Sequence, residues 1–433
     1  MALVCCTGEG DETRLAPPEV ERAAVEPAPV EPATEPAVQP ATIEPAPAEL
    51  PSGALEPAPA AARASGLASL VAACQPVRFA AVRPGRLGRR PYLQNVGATS
   101  ASVVFTTREP GADPRLALSH PGAALLRLVS SELDPADATA HQRVFRLSGL
   151  EPDTVYCYQI EDWTQPLRFR TAPRSGAGAR VRFVAFGDSG GASRDMVSAE
   201  VQRAAFDLLL HTGDIAYDRG ELADFEAKFF DTYANVLEVV PVFPASGNHD
   251  YNVDDAATFR QVFALPENGG PAGVERWFSF DWGDVHFVAL DTERVGSEQR
   301  AWLEADLASS AQLWTVVYMH KPPYSSGAHG SSLDVRDAFS PIFEQHGVQL
   351  VLSGHDHDYE RTRPIGGVTY VVTGGGGYGL RAVGQSDFTA LSASVFHFVR
   401  AEVEADALTL AAIDATGATF DSVRIPRRPA PPR

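Results

Sequence analysis

From Val181 onward, seven apolar stretches each run into a polar turn: VRFVAFGDSG, FDLLLHTGD, VVPVFPASGNHD, DVHFVALDTE, WTVVYMHKPP, VQLVLSGHDH and GVTYVVTGGGG. Short continuous apolar runs bounded by turn residues are what strands buried on both faces require, and such strands need helices to cover them. Helical patterns do lie between them. SEQRAWLEADLASS places Ala301, Leu303 and Leu307 near helical spacing behind an expected N-cap serine, Ser297. DVRDAFSPIFEQHG reads as a second helix. The result is an α/β layering with short connections. In open α/β folds the side chains just past the strand C-termini line the functional crevice, so those positions are where chemistry is sought.

Upstream the texture differs. RPYLQNVGATSASVVFTT alternates in a β manner, and LRLVSSEL, QRVFRLSGL, EPDTVYCYQIED and PLRFRTAP follow it. Short strands with regular turn signals indicate a small β-sandwich over residues 86–173. The Leu150–Tyr156 arrangement resembles the corner tyrosine of fibronectin type III-like domains, which makes Tyr156 structural. The final stretch, HFVRAEVEADALTLAAIDATGATFDSVRI, alternates as antiparallel strands and closes a second domain expected over 178–427.

Residues 1–63 hold 12 prolines, 11 acidic and 3 basic residues, and no Phe, Tyr or Trp. Such a segment buries too little apolar surface to offset its ordering entropy and is expected to be a disordered, extended spacer, joined by a connector over 64–85. The chain opens MALVCCTGEGDETR, which resembles the end of a bacterial lipoprotein signal and makes Cys5 or Cys6 a candidate lipid anchor on an exported protein. Cys74 and Cys157 remain, as an open question of one disulfide or two free thiols. With 36 basic against 55 acidic residues the net charge is −19, which argues against nucleic-acid binding. No apolar run reaches the roughly 18 residues that span a bilayer.

The strand-end positions carry Asp188 in GDSG, Asp214 and Tyr217 in GDIAY, Asn248, His249 and Asp250 in GNHD, His320 in VYMH, and His355 and His357 in GHDH. These residue types suit one task. Two adjacent cations need a carboxylate to bridge them, imidazoles favour Zn, Fe or Mn, and an asparagine supplies a neutral oxygen. A phenol with a pKa near 10 binds as phenolate only to a strong Lewis acid. Two metals about 3.5–4 Å apart can clamp a phosphate ester and acidify a water.

The ordered set Asp188, Asp214-x-x-Tyr217, Asn248-His249-Asp250, His320 and His355-x-His357 resembles the purple acid phosphatases, within the calcineurin-like metallophosphoesterases. The resemblance spans about residues 86–427. It implies a layered metallophosphoesterase β-sandwich flanked by helices, behind a fibronectin type III-like domain. It also implies hydrolysis of a small-molecule phosphate monoester by two metal ions, Fe(III) plus a divalent Fe, Zn or Mn. By motif, Asp188, Tyr217 and His357 would hold the ferric ion, Asp214 would bridge, and Asn248, His320 and His355 would hold the divalent ion. His249 and His329 would be outer-sphere catalytic groups, with Asp250 orienting His249.

Simpler roles are expected elsewhere. His211 and His286 sit inside apolar strands and read as structural. Gly374–Gly377 lacks a following Gly-Lys-Ser/Thr, so it is no phosphate loop but a place where backbone passes close to the site. Lys321 and Arg361 are candidates for added positive charge at the phosphate. Two rival functions remain. A phosphodiesterase of the same fold would commonly carry a histidine in the first motif and lack the Tyr217 phenol. A non-catalytic tethered binding protein would not need the full ligand set.

Overall fold

A computed structural model describes residues 74–79 and 87–427, apart from residues 124, 138, 140, 162 and 164. The expected spacer over 1–63, with Cys5 and Cys6, and most of the 64–85 connector lie outside the described residues. Cys74 is disulfide-bonded to Cys157 in the strand Val155–Ile160, which resolves the cysteine question. Beside it Val77 N donates to Gln159 Oε1 at 2.8 Å.

Residues 87–170 form two four-stranded antiparallel sheets. One is ordered Tyr92–Gln94, Ser100–Thr106, Gln142–Ser148, Glu132–Leu133. The other is ordered Leu125–Ser130, Arg115–Ser119, Val155–Ile160, Leu167–Arg170. Alternate residues Val103, Phe105, Leu116, Leu118, Phe145 and Tyr158 are buried in one cluster. Tyr156 is buried, and its Oη accepts a hydrogen bond from Glu151 N at 2.8 Å, a corner-tyrosine geometry.

That apolar cluster continues into the following layers. Gln94 Nε2 donates to Val242 O at 2.6 Å, Tyr158 Oη donates to Glu238 O at 2.6 Å, and the buried Arg89 guanidinium pairs with Glu226.

The larger region packs two sheets face to face. The first is ordered Val242–Ala245, Leu208–Thr212, Val181–Phe186, His397–Val403, Ala407–Asp414, Thr419–Pro426. The second is ordered Phe278–Trp282, Val285–Ala289, Trp314–Tyr318, Leu350–Ser353, Thr369–Thr373, Tyr359–Thr362, Thr389–Ala393. Phe183 meets Phe287 edge-on with centroids 5.4 Å apart, and Phe243 stacks on Phe280 at 3.8 Å, so aromatic rings fill the space between.

Helices Ser297–Ser309 and Leu333–His346 cover the second sheet, through Leu303, Leu307, Phe339 and Phe343 against Val288, Val317 and Val351. Ser297 is not the N-cap: the extended Gly296 occupies that position, and Ser297 is already helical, so its hydroxyl makes no cap bond. Parallel pairing of Val181–Phe186, Leu208–Thr212 and Val242–Ala245 lines up three strand ends, and that of Trp314–Tyr318 and Leu350–Ser353 lines up two more.

Candidate metal centre

Each predicted ligand follows one of those ends. Asp188, Asp214, His320 and His355 each sit two residues past a strand, and Asn248 sits three past. Asp188, Asp214 and His355 have φ of 58°, 54° and 70°, the left-handed region that side chains avoid at a cost of about 1–2 kcal/mol each. Hydrogen bonds hold them there: Asp188 N donates to Gly213 O at 3.0 Å, and His355 N donates to Asp188 Oδ2 at 2.9 Å. A Cβ at Gly354 would stand 2.4 Å from Asp188 Oδ2, and one at Gly374 would stand 2.8 Å from the same oxygen. Glycine is required at both, and the four-glycine run does bring backbone against the site.

Two clusters of donor atoms result. His320 Nδ1 donates to Thr212 O at 2.9 Å, which turns Nε2 into the crevice. That nitrogen lies 3.2 Å from Asp214 Oδ2, 3.1 Å from Asn248 Oδ1 and 3.2 Å from His355 Nδ1. In the second cluster Tyr217 Oη lies 2.8 Å from Asp188 Oδ1, 2.9 Å from Asp214 Oδ2 and 3.1 Å from His357 Nε2. His357 Nδ1 donates to Gly379 O at 2.7 Å, so its other nitrogen also faces inward. One oxygen, Asp214 Oδ2, belongs to both clusters. Among the described residues, Asp214, His320 and His355 form the group of metal-ligating types whose ligand atoms all lie within 4.8 Å of one another.

Around Nε2 of His320 and Oη of Tyr217 there are more lone pairs than protons, an arrangement that a cation at each position satisfies. The electrostatics agree. Burial disfavours charge on His320, but the Asp214 and Asp188 carboxylates prevail and raise it to about 10, so a proton holds the place a cation would take. Burial, helped by the charge on His320, lowers His355 to about 2, and burial lowers His357 to about 4, leaving both imidazoles neutral with lone pairs to give. Burial pushes the Asp188 carboxyl well up, whereas His320 outweighs burial at Asp214 and holds it low. Burial and the two carboxylates push the Tyr217 phenol far above its usual value, so only a strong Lewis acid would displace its proton. The donor set fits two cations.

The outer groups are close by. The His249 ring lies against Tyr217 with centroids 4.3 Å apart, its Nδ1 donates to Asp218 O at 2.5 Å, and its Nε2 is 3.9 Å from Asp214 Oδ2. His329 stacks on His355 at 4.2 Å. Asp250 does not orient His249. Its Oδ1 accepts from Ile215 N and Ala216 N at 3.1 Å each, and its Oδ2 accepts from Gly247 N at 2.9 Å. Its oxygens are taken by these backbone amides, while the His249 ring is held by the Asp218 carbonyl, so Asp250 clamps the turn that carries Asp214 instead.

Both anticipated cations are paired with carboxylates, although the Lys321 charge still bears on His355. Lys321 pairs with Glu293 at 2.8 Å, and Arg361 pairs with Asp421 at 2.6 Å. His211 and His286 are structural: Nε2 of His211 contacts Ser189 Oγ at 2.9 Å, and His286 bridges Asp281 and Asp306. Sequence reasoning missed Tyr378 and Arg381. Tyr378 stacks on Tyr217 with centroids 3.8 Å apart and 10° between planes, and Arg381 contacts His329. The one signal for either is their place directly after the glycine run.

Residues 181–359 match the calcineurin-like phosphoesterase family model, and the chain carries a domain of that family. Within it, the chain is similar to purple acid phosphatases. The structure of a purple acid phosphatase from yellow lupin seeds superposes with a TM-score of 0.68 at 21% identity, covering 78% of this chain and 74% of that one. Human acid phosphatase type 7 is 28% identical over 257 residues, 51% of this chain and 56% of its own. An uncharacterized protein of Mycobacterium tuberculosis is 28% identical over 343 residues, and this chain spans 64% of its length. An Arabidopsis thaliana protein named probable inactive purple acid phosphatase 1 is 27% identical over 301 residues, 54% of this chain and 48% of its own.

Proposed function

We propose that this chain hydrolyses phosphate monoesters at a binuclear metal centre of the purple acid phosphatase type. Asp188, Tyr217 and His357 would hold an Fe(III), Asn248, His320 and His355 a divalent ion, and Asp214 would serve both. The observation that carries this reading is the single oxygen, Asp214 Oδ2, shared by the His320 and Tyr217 clusters. Two cations there would supply Lewis-acid polarisation of the phosphoryl oxygens and acidify a water for attack on phosphorus. The chain's own groups then handle the leaving side. His249, its Nδ1 held by the Asp218 carbonyl, points Nε2 toward the centre and, when doubly protonated, can hand a proton to the departing alkoxide. His329, stacked over His355, would be a second hydrogen-bonding group for the ester.

We read residues 86–173 as a fibronectin type III-like domain and 178–427 as the catalytic domain. The Cys74–Cys157 disulfide supports an oxidising, extracytoplasmic compartment. Among the described residues no helix is long and apolar enough to cross a membrane.

The test is a visible spectrum of iron-replete protein, wild type beside Tyr217→Phe, with metal analysis and a pH–rate profile on an aryl phosphate. The expected wild type is pink to purple from phenolate-to-iron charge transfer and active below neutral pH. The variant is bleached but retains metal. A colourless, iron-free protein with an alkaline optimum, or one that cleaves only diesters, overturns the reading.

A further inference from the structure

We propose that Arg381 is the cation that receives the additional negative charge of a phosphate monoester, so that it sets the preference for monoesters over diesters; this rests on the phosphatase reading above. The loop that carries it is fixed at three points to the Asp188 half of the centre. Tyr378 N donates to Asp188 O at 2.8 Å, the Tyr378 ring stacks on Tyr217 at 3.8 Å, and Arg381 N donates to His357 O at 3.1 Å. From there the guanidinium reaches across to His329 Nε2, and His329 lies on His355 of the other half with 26° between the rings. Arg381 therefore joins the His357 strand end of one half to His329 over His355 of the other.

Among the described residues its charge is not taken up by an ion pair. Lys228 is paired with Asp224 at 2.9 Å, Lys321 with Glu293 at 2.8 Å and Arg361 with Asp421 at 2.6 Å. Among the described residues Arg381 has no ion pair, and its side-chain partner is a histidine. A half-buried guanidinium with no carboxylate at ion-pair distance, although its charge bears on Asp358, stands beside His329 and a metal-type donor set and is arranged for an incoming anion. A monoester brings three terminal oxygens and a charge of up to two; a diester brings two oxygens and one charge. The extra oxygen is what a planar, two-pronged donor beyond the metal ligands can read, and a diester puts an uncharged ester arm there instead.

The experiment uses full-length, metal-loaded protein as wild type, Arg381→Gln and Arg381→Lys. Inorganic phosphate binding is measured by calorimetry, and kcat/KM is measured on an aryl phosphate and on the matching bis-aryl diester. Loss of one charge-assisted contact predicts phosphate affinity down ~10-fold or more in Arg381→Gln. Monoester kcat/KM falls by a similar or larger factor and diester kcat/KM by much less, so the ratio collapses. Lysine restores part of it, and metal content is unchanged in both variants. Equal phosphate affinity in wild type and Arg381→Gln overturns the assignment, as does metal loss in that variant, which would make Arg381 a support for the His357 strand end. If the wild type turns over no monoester yet binds phosphate in an Arg381-dependent way, the phosphatase reading fails, Arg381 remains the phosphate-binding cation, and its role in ester preference is overturned.

Discussion

At the scale of single residues, the centre turns on which atoms are shared. Asp214 Oδ2 faces both clusters, while Asn248 Oδ1 faces only His320. Asp214→Ala is expected to remove activity to background and most bound metal, because two cations would be left without the anion between them. Asn248→Ala weakens one site and should cost at least the roughly 10–100-fold that follows loss of an outer-shell partner, with residual activity and one metal retained. Elemental analysis with kcat on the same preparations checks both, and equal losses would remove the bridging role. The seven candidate ligand positions were legible in the sequence because each follows an apolar strand within a few residues. The functions of Asp250, Lys321, Arg361 and Arg381 were not. Each depends on a partner brought near by folding: Ile215 for Asp250, Glu293 for Lys321, Asp421 for Arg361 and His329 for Arg381. No local periodicity encodes such pairings.

Among the elements, the antiparallel pair Phe278–Trp282 and Val285–Ala289 is locked to the helix Ser297–Ser309 by one imidazole. His286 Nδ1 lies 2.7 Å from Asp281 and Nε2 lies 2.8 Å from Asp306. Burial works against its charge, but the two carboxylates prevail and raise it to about 9. A group whose pKa is raised on folding adds stability fully present below its unfolded value near 6.5 and lost as pH climbs through the folded value. Wild type should therefore lose up to about 3 kcal/mol relative to His286→Gln between pH 6 and 9.5, at ~1.4 kcal/mol for each tenfold gain in proton affinity on folding. Denaturant titrations at the two pH values measure this, and parallel pH dependences in the two proteins would refute it. The strands and helices themselves were readable from apolar run length and spacing. The cap of this helix was displaced by one residue because the extended Gly296 takes the turn.

For the whole molecule, the β-sandwich and the layered region share an apolar cluster and buried hydrogen bonds, so they should unfold together. The Cys74–Cys157 bond closes a loop of 83 residues' separation around the sandwich. Its loss is expected to cost up to about 4 kcal/mol on the loop-entropy scale and to lower the melting temperature, compared for wild type and Cys74→Ser/Cys157→Ser without reductant. An unchanged melting temperature would mean the bond constrains nothing that folding needs. The glycines flanking the Asp188 carboxylate bear on descent. Asn248 or His329 can be exchanged for another side chain while the backbone stays, so a lineage can forfeit turnover one side chain at a time and keep a sound fold. At Gly354 and Gly374 any side chain meets Asp188 Oδ2. Drift toward an inactive protein is thus channelled through the ligands, and the two glycines would persist as a fossil of chemistry already gone.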